Sequence, residues 1–175
     1  MVHRVQQRFP EALTVHRLDM ATSGLLVFAR GEAMQRALSV LFQDRQVDKR
    51  YVAVVKGLLA QDQGEIDLPL SADWPNRPRQ MVCFERGKPS QTRYEVLTRD
   101  LDQGETRVAL TPITGRSHQL RVHMLALGHP MLGDPFYGDA DSQARAPRLL
   151  LHAAALSLTH PQTGERMHWA SAPPF

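Results

Sequence analysis

Thr92 to Leu110 reads TRYEVLTRDLDQGETRVAL, and this stretch decides the fold class. Thr92, Tyr94 and Val96 alternate with polar neighbours, Arg107 to Leu110 repeats the pattern, and Gln103-Gly104 supplies a turn, so the segment reads as two half-exposed strands. Strands joined by so short a turn run antiparallel. The arrangement recurs near the end, where Leu149 to Thr159 and Arg166 to Ala170 flank the turn His160-Pro161-Gln162-Thr163-Gly164. Further strands are predicted at Arg50 to Lys56 (RYVAVVK), ended by Gly57, and at the short apolar run Leu25 to Ala29. Two helices interrupt this pattern. From Glu32, the residues Met34, Ala37, Leu38, Leu41 and Phe42 fall on one helical face. Ser117 is a candidate N-cap for a helix carrying Leu120, Met124 and Leu127, with Gly128 and Pro130 as its stop. Ile66 to Pro78 contains Pro69, Pro75 and Pro78 and is predicted to be loop or edge. The expectation is one α+β domain over residues 1–175, a mixed but mainly antiparallel sheet flanked by helices and loops.

A chain of 175 residues with 42% hydrophobic content fills one ordinary core, which excludes disordered and fibrous classes. The net charge is only +3, yet the basic residues comprise 18 Arg and 3 Lys. Arg forks onto phosphate and stacks on bases, although codon bias in a GC-rich genome yields the same excess. The single Cys83 excludes a disulfide framework and Cys-based zinc sites, and points to a reducing compartment. No apolar run approaches the roughly 20 residues that span a bilayer. Met1 to Pro10 lacks a signal-peptide core, so a cytoplasmic protein without membrane association is expected.

Two segments concentrate chemistry. Val15 to Val27, VHRLDMATSGLLV, sets an ionic cluster before an apolar run, and the small residues Ala21 to Gly24 let the backbone turn after Asp19. Asp19 is then either a carboxylate in a cleft or a turn aspartate capping its own backbone. Thr114 to His123, TGRSHQLRVH, carries Arg121, which either lies on a solvated flank or is partly buried and needs a carboxylate such as Asp19. Tyr51, after Lys49 and Arg50, is either a core aromatic or a plate for a planar ligand. His118 and His123 are five apart and cannot ligate one ion from a helix or a strand. Neither a serine-nucleophile elbow nor a phosphate-binding glycine loop occurs, so no metal or cofactor is expected. A carboxylate, a cation and an aromatic plate suit a planar base that is held and attacked.

With His16-Arg17-Leu18-Asp19 and Thr22-Ser23-Gly24, Lys49-Arg50-Tyr51-Val52-Ala53, Gly115 to His123, and Leu151-His152-Ala153, the chain resembles the RluA family of pseudouridine synthases. These ordered motifs extend across nearly the whole chain. Longer strings, including Asp67-Leu68-Pro69-Leu70, Asp73 to Pro78 and Gly87-Lys88-Pro89, are similar to the branch that modifies both a tRNA anticodon stem-loop and a 23S rRNA hairpin.

The resemblance implies the pseudouridine synthase fold and an isomerase that needs no cofactor and acts on structured RNA, with no protein partner implied. Asp19 corresponds to the catalytic aspartate, Tyr51 to the aromatic that packs on the base and takes the C5 proton, and Arg121 to the cation that positions the aspartate. Arg17 corresponds to the arginine that fills the space left by a flipped base. Arg116, His118 and Leu151 fall in motifs that line the substrate pocket. Arg77, Arg79, Arg86 and Arg93 are candidate phosphate contacts. The family's domain begins with a strand and a K-P-S-G-type segment before H-R-L-D, which this chain is expected to lack; the alternative function is an inactive truncated RNA-binding fragment.

Overall fold

The computed structural model describes residues 2–175. Its elements are α1 (Val2–Gln6), β1 (Ala12–Thr14), β2 (Ser23–Gly24), β3 (Phe28–Arg30), α2 (Glu32–Gln43), β4 (Asp48–Lys56), β5 (Gln63–Asp67), β6 (Leu70–Ala72), β7 (Gln80–Val82), β8 (Gln91–Asp100), β9 (Glu105–Pro112), α3 (Gln119–Ala126), α4 (Ala140–Ala144), β10 (Leu151–Thr159) and β11 (Arg166–Ala170). A seven-stranded sheet runs β11-β10-β4-β9-β8-β5, with β2 added beside β10. Every pairing in it is antiparallel except β2 with β10. The two hairpins expected from sequence, β8-β9 and β10-β11, are both present. No helix among the described residues is long and apolar enough to cross a membrane.

The two longer helices share one face of this sheet. Ala53 and Val55 of β4 and Val108 and Leu110 of β9 pack with Leu120 and Met124 of α3. Leu156 and Leu158 of β10 pack with Leu38 of α2. Lys49 is the cross-strand partner of Leu156, and Tyr51 that of Leu110, so both clusters lie on the same side. The side chains of Lys49 and Tyr51 emerge between the helices. On the opposite face, Val54 packs with Leu132 and Ala146.

Three sequence expectations need correction. Leu25 to Ala29 is not one strand: only Phe28–Arg30 finds a partner, β1. The Leu25 N–H instead bonds to the Ala153 carbonyl at 3.0 Å, and the Val27 N–H to His16 Nε2 at 2.9 Å. Ser117 does not cap α3. His118 occupies that position in a left-handed conformation (φ 54°, ψ 15°), without a side-chain cap. Gln119 does the local bonding, its Oε1 accepting from the Thr114 hydroxyl at 2.7 Å and the Arg116 N–H at 3.0 Å. Finally, β9 is not half-exposed: Val108, Ala109 and Leu110 are all buried, because the strand is central in the sheet. The Pro-punctuated stretch is irregular as expected, but it also holds β6, whose partner is β7 in a separate two-stranded sheet.

Candidate active site

The cleft between α2 and α3 is a cavity of about 280 Å³. Arg17, Asp19, Tyr51, Arg116, His118, Arg121 and Leu151, all singled out from sequence, line it together. They come from four separate parts of the chain.

Asp19 is held at this cleft by the segment that precedes β2. Its backbone carbonyl accepts the Thr22 N–H at 2.9 Å, closing a turn, and the chain then enters β2. There Gly24, with φ +107°, lies so close to β10 that a Cβ would sit 2.3 Å from the Ala153 carbonyl oxygen. Only glycine permits that approach. Ser23 adds a hydrogen bond of 2.8 Å to His152 Nδ1. Upstream, His16 accepts from Val27 and stacks on Phe42 at 4.3 Å. Burial, aided by nearby Lys49, pushes its pKa down to about 4, so it stays neutral and keeps accepting.

The Asp19 carboxylate thus serves no turn of its own. Its Oδ2 lies 3.3 Å from Arg121 Nη1, and its Oδ1 lies 3.9 Å from His118 Nε2. Arg121 is 2% exposed, which removes the solvated-flank alternative. Its main partner, however, is Asp134, absent from the sequence expectation: the guanidinium forks onto it at 2.8 Å (Nε) and 2.6 Å (Nη2). Phe136 and Tyr137 complete the cage, their ring centroids 5.3 and 4.9 Å from the guanidinium carbon. Burial pulls the Arg121 pKa down, but hydrogen bonds and charge from Asp134 and Asp19 outweigh it and leave it above the ordinary arginine value.

His118 is fixed by the same aromatics. Tyr137 accepts the Gln80 N–H at 2.7 Å and lies 2.6 Å from His118 Nδ1. When the phenol donates to Nδ1, the ring proton sits on Nε2, facing Asp19. Burial lowers the His118 pKa despite the opposing effect of Asp19. Across the cavity, burial and then the Asp19 charge push the Tyr51 hydroxyl up to about 12, so it remains protonated at neutral pH. Tyr51 packs against the core cluster that contains Leu151 while also lining the cavity. The core-aromatic alternative therefore holds, and the ring also borders the cavity.

The i, i+4 pair Gln119 and His123 ties α3 to β8. Gln119 Nε2 donates to the Gln91 carbonyl at 2.9 Å, and His123 Nδ1 lies 2.9 Å from the Thr92 hydroxyl. Arg17 and Arg116 stay exposed at the cavity mouth. Among the candidate phosphate contacts, Arg93 is paired with Glu65 at 2.9 Å and Arg77 lies 3.5 Å above the Trp74 ring. Asp134 was missed because it bears no periodic signal; the available hint was an acid inside the turn-rich aromatic string Gly133-Asp134-Pro135-Phe136-Tyr137-Gly138.

Comparison with known proteins gives this cleft its context. A family model described as RNA pseudouridylate synthase matches residues 5–126. The chain is 60% identical over 166 residues to a dual-specificity RNA pseudouridine synthase RluA of Yersinia pestis, covering 95% of this chain and 80% of that protein. It is 55% identical over 172 residues to the Escherichia coli K12 protein of the same name, covering 98% and 78%. Among solved structures, human RNA pseudouridylate synthase domain containing 1 superposes with a TM-score of 0.87 at 32% identity, covering 98% of this chain and 73% of that one. The fold, the motifs and these relatives lead to one conclusion: the chain belongs to the RNA pseudouridylate synthase family, isomerases that act on RNA.

Proposed function

We propose that this chain isomerises uridine in a tRNA anticodon stem-loop and in a 23S rRNA hairpin, with Asp19 as the catalytic carboxylate. The observation that carries the catalytic reading is the Asp19 carboxylate, 3.3 Å from a buried, doubly paired Arg121 at the edge of a uridine-sized cavity. The dual specificity in the names of the relatives from Yersinia pestis and Escherichia coli supports the choice of RNAs. A stacked base cannot reach the cavity, so the target uridine is flipped out, at a cost of about a few kcal/mol. Arg17 at the mouth occupies the vacated place in the stack, while Arg116 and His118 contact the entering nucleotide.

Inside the cavity Tyr51 and Leu151 hold the uracil ring. The Asp19 carboxylate bonds to C1′ as the N1–C1′ bond breaks with its electron pair going to the uracil. The ring turns, C5 bonds to C1′ and displaces Asp19, C5 loses its proton and N1 ends protonated. No atom is gained or lost. Arg121 is a positioning residue that holds the Asp19 carboxylate in orientation at 3.3 Å. Tyr51, a protonated phenol, takes the C5 proton as it releases its own to solvent, and N1 takes a proton from solvent, so no net proton is consumed.

The test is Asp19→Asn, which keeps the shape and removes the charge. Pseudouridine formation in an anticodon stem-loop, read by carbodiimide labelling, is expected to fall by about a thousandfold or more, with RNA binding within a few-fold of wild type. Labelling at the wild-type rate would overturn the assignment. A wild-type chain that binds the stem-loop without forming pseudouridine would favour the RNA-binding fragment instead.

A further inference from the structure

Lys49 lines the cavity but has no task in the scheme above. It precedes Tyr51 by two residues on β4, so both side chains leave the same face of the strand. Its neighbours in the chain are neutralised, Asp48 by Arg166 and Arg50 by Glu95. Lys49 has no such ion pair among the described residues, and its Nζ rests beside Gly115, 4.0 Å from where a Cβ would stand. Burial alone lowers its pKa, with no carboxylate to oppose the shift. An unpaired, half-buried ammonium destabilises the fold and is made favourable only by an anion arriving from outside.

Two anions are available in an RNA substrate. The phosphates remain on the strand, at the mouth where Arg17 and Arg116 are exposed. The base enters, and it acquires negative charge once its bond to ribose is broken.

We propose that Lys49 binds the detached uracil anion through O2 and O4. The inference rests on the isomerase reading above and deepens it. Neutral uridine offers the ammonium no charge, so the interaction strengthens as the N1–C1′ electron pair moves into the ring, and it lowers the barrier of that step. It weakens again when C5 bonds to C1′ and the ring becomes neutral. An ammonium carries three donors around one point and follows the carbonyl oxygens as the ring turns; a planar guanidinium would hold one orientation.

The experiment is single-turnover isomerisation of an anticodon stem-loop by wild type and Lys49→Met, with the rate followed against enzyme concentration and salt, beside thermal melts. Removing the ammonium is expected to lower the plateau rate by about a hundredfold, the scale of losing one oxyanion donor. The half-saturation concentration and the salt slope stay unchanged. The melting temperature stays level or rises, because an unpaired charge is gone. With 5-fluorouridine at the target position, the fluorine already stabilises the ring's charge, and the penalty on glycosidic bond cleavage shrinks below about tenfold.

A wild-type plateau in Lys49→Met overturns the proposal. So does weaker binding with a shallower salt slope and an unchanged plateau, which would place the ammonium on a phosphate. A loss of rate that comes with a lowered melting temperature and persists undiminished on the 5-fluorouridine substrate also overturns it, because that is the signature of a structural residue. Asp19→Asn measured in parallel separates the two levels of inference. If it retains wild-type activity, the catalytic reading fails; if it is inactive while Lys49→Met is unimpaired, only the role of Lys49 fails.

Discussion

Asp134→Asn is the most direct probe of how the site is held. Arg121 is 2% exposed and Asp134 is completely buried, and two charge-assisted hydrogen bonds of 2.6 and 2.8 Å join them. The amide keeps the volume and one carbonyl oxygen, which leaves the Phe136 N–H (2.9 Å) and the Tyr137 N–H (3.2 Å) an acceptor. It cannot satisfy both arms of the guanidinium, because its NH₂ meets another donor. Breaking a buried pair from one side destabilises by about 3–5 kcal/mol, and at this chain length that corresponds to a fall in Tm of roughly 6–20 °C. The surviving carboxylate near Arg121 is Asp19, so the guanidinium is expected to swing toward it and the proposed catalytic carboxylate to lose its set geometry. Urea melts of the single variants and of Asp134→Asn combined with Arg121→Met measure the effect as a double-mutant cycle. The double variant is expected to recover most of the stability and none of the activity. If Asp134→Asn melts within about 1 kcal/mol of wild type, the pair does not anchor the site and the argument fails.

Two further outcomes follow from the segment that carries Asp19. The His16 pKa is depressed from 6.5 to about 4, so the unfolded chain takes up a proton that the folded one refuses, and stability drops as pH falls through 6.5 toward 4. Fully expressed, this is about 3 kcal/mol; urea melts across that range should show a steeper loss for wild type than for His16→Gln, and parallel curves would contradict it. Gly24→Ala sets a methyl 2.3 Å from the Ala153 carbonyl oxygen at φ +107°, so β2 must leave β10. A loss of more than about 3 kcal/mol is expected, with activity lost before global unfolding; a stable, fully active variant would mean that the β2 contact does not position Asp19.

The sequence made some of this legible and concealed the rest, for physical reasons. Helix α2 and strand β4 are visible because a buried face imposes a period, and the two hairpins because short turns between strands dictate antiparallel pairing. The seven cavity residues were found through motif strings, which carry residue identity where periodicity carries none. Asp134 escaped because a single acid in a loop gains meaning only from the guanidinium that folds onto it. The β2-β10 pairing escaped because two residues are too few to show alternation, and the left-handed His118 because its conformation is set by what surrounds its ring. Leu25 to Ala29 misled because apolar packing against α2 leaves the same sequence trace as a strand, although the amide bonds go elsewhere.

The two-residue strand β2 has a consequence for when the enzyme comes into being. Asp19 precedes in the chain the surface that fixes its segment, His152 and Ala153, by more than a hundred residues. Arg121 and Asp134 also emerge long after it. Contacts of such separation form late, after the long intervening loop has been closed, and a growing chain folds what it already has. A nascent chain that presents the whole H-R-L-D-to-T-S-G segment therefore has an aspartate without an address. The cleft that contains Asp19 is complete only once β10 has docked, so a partly made chain lacks it.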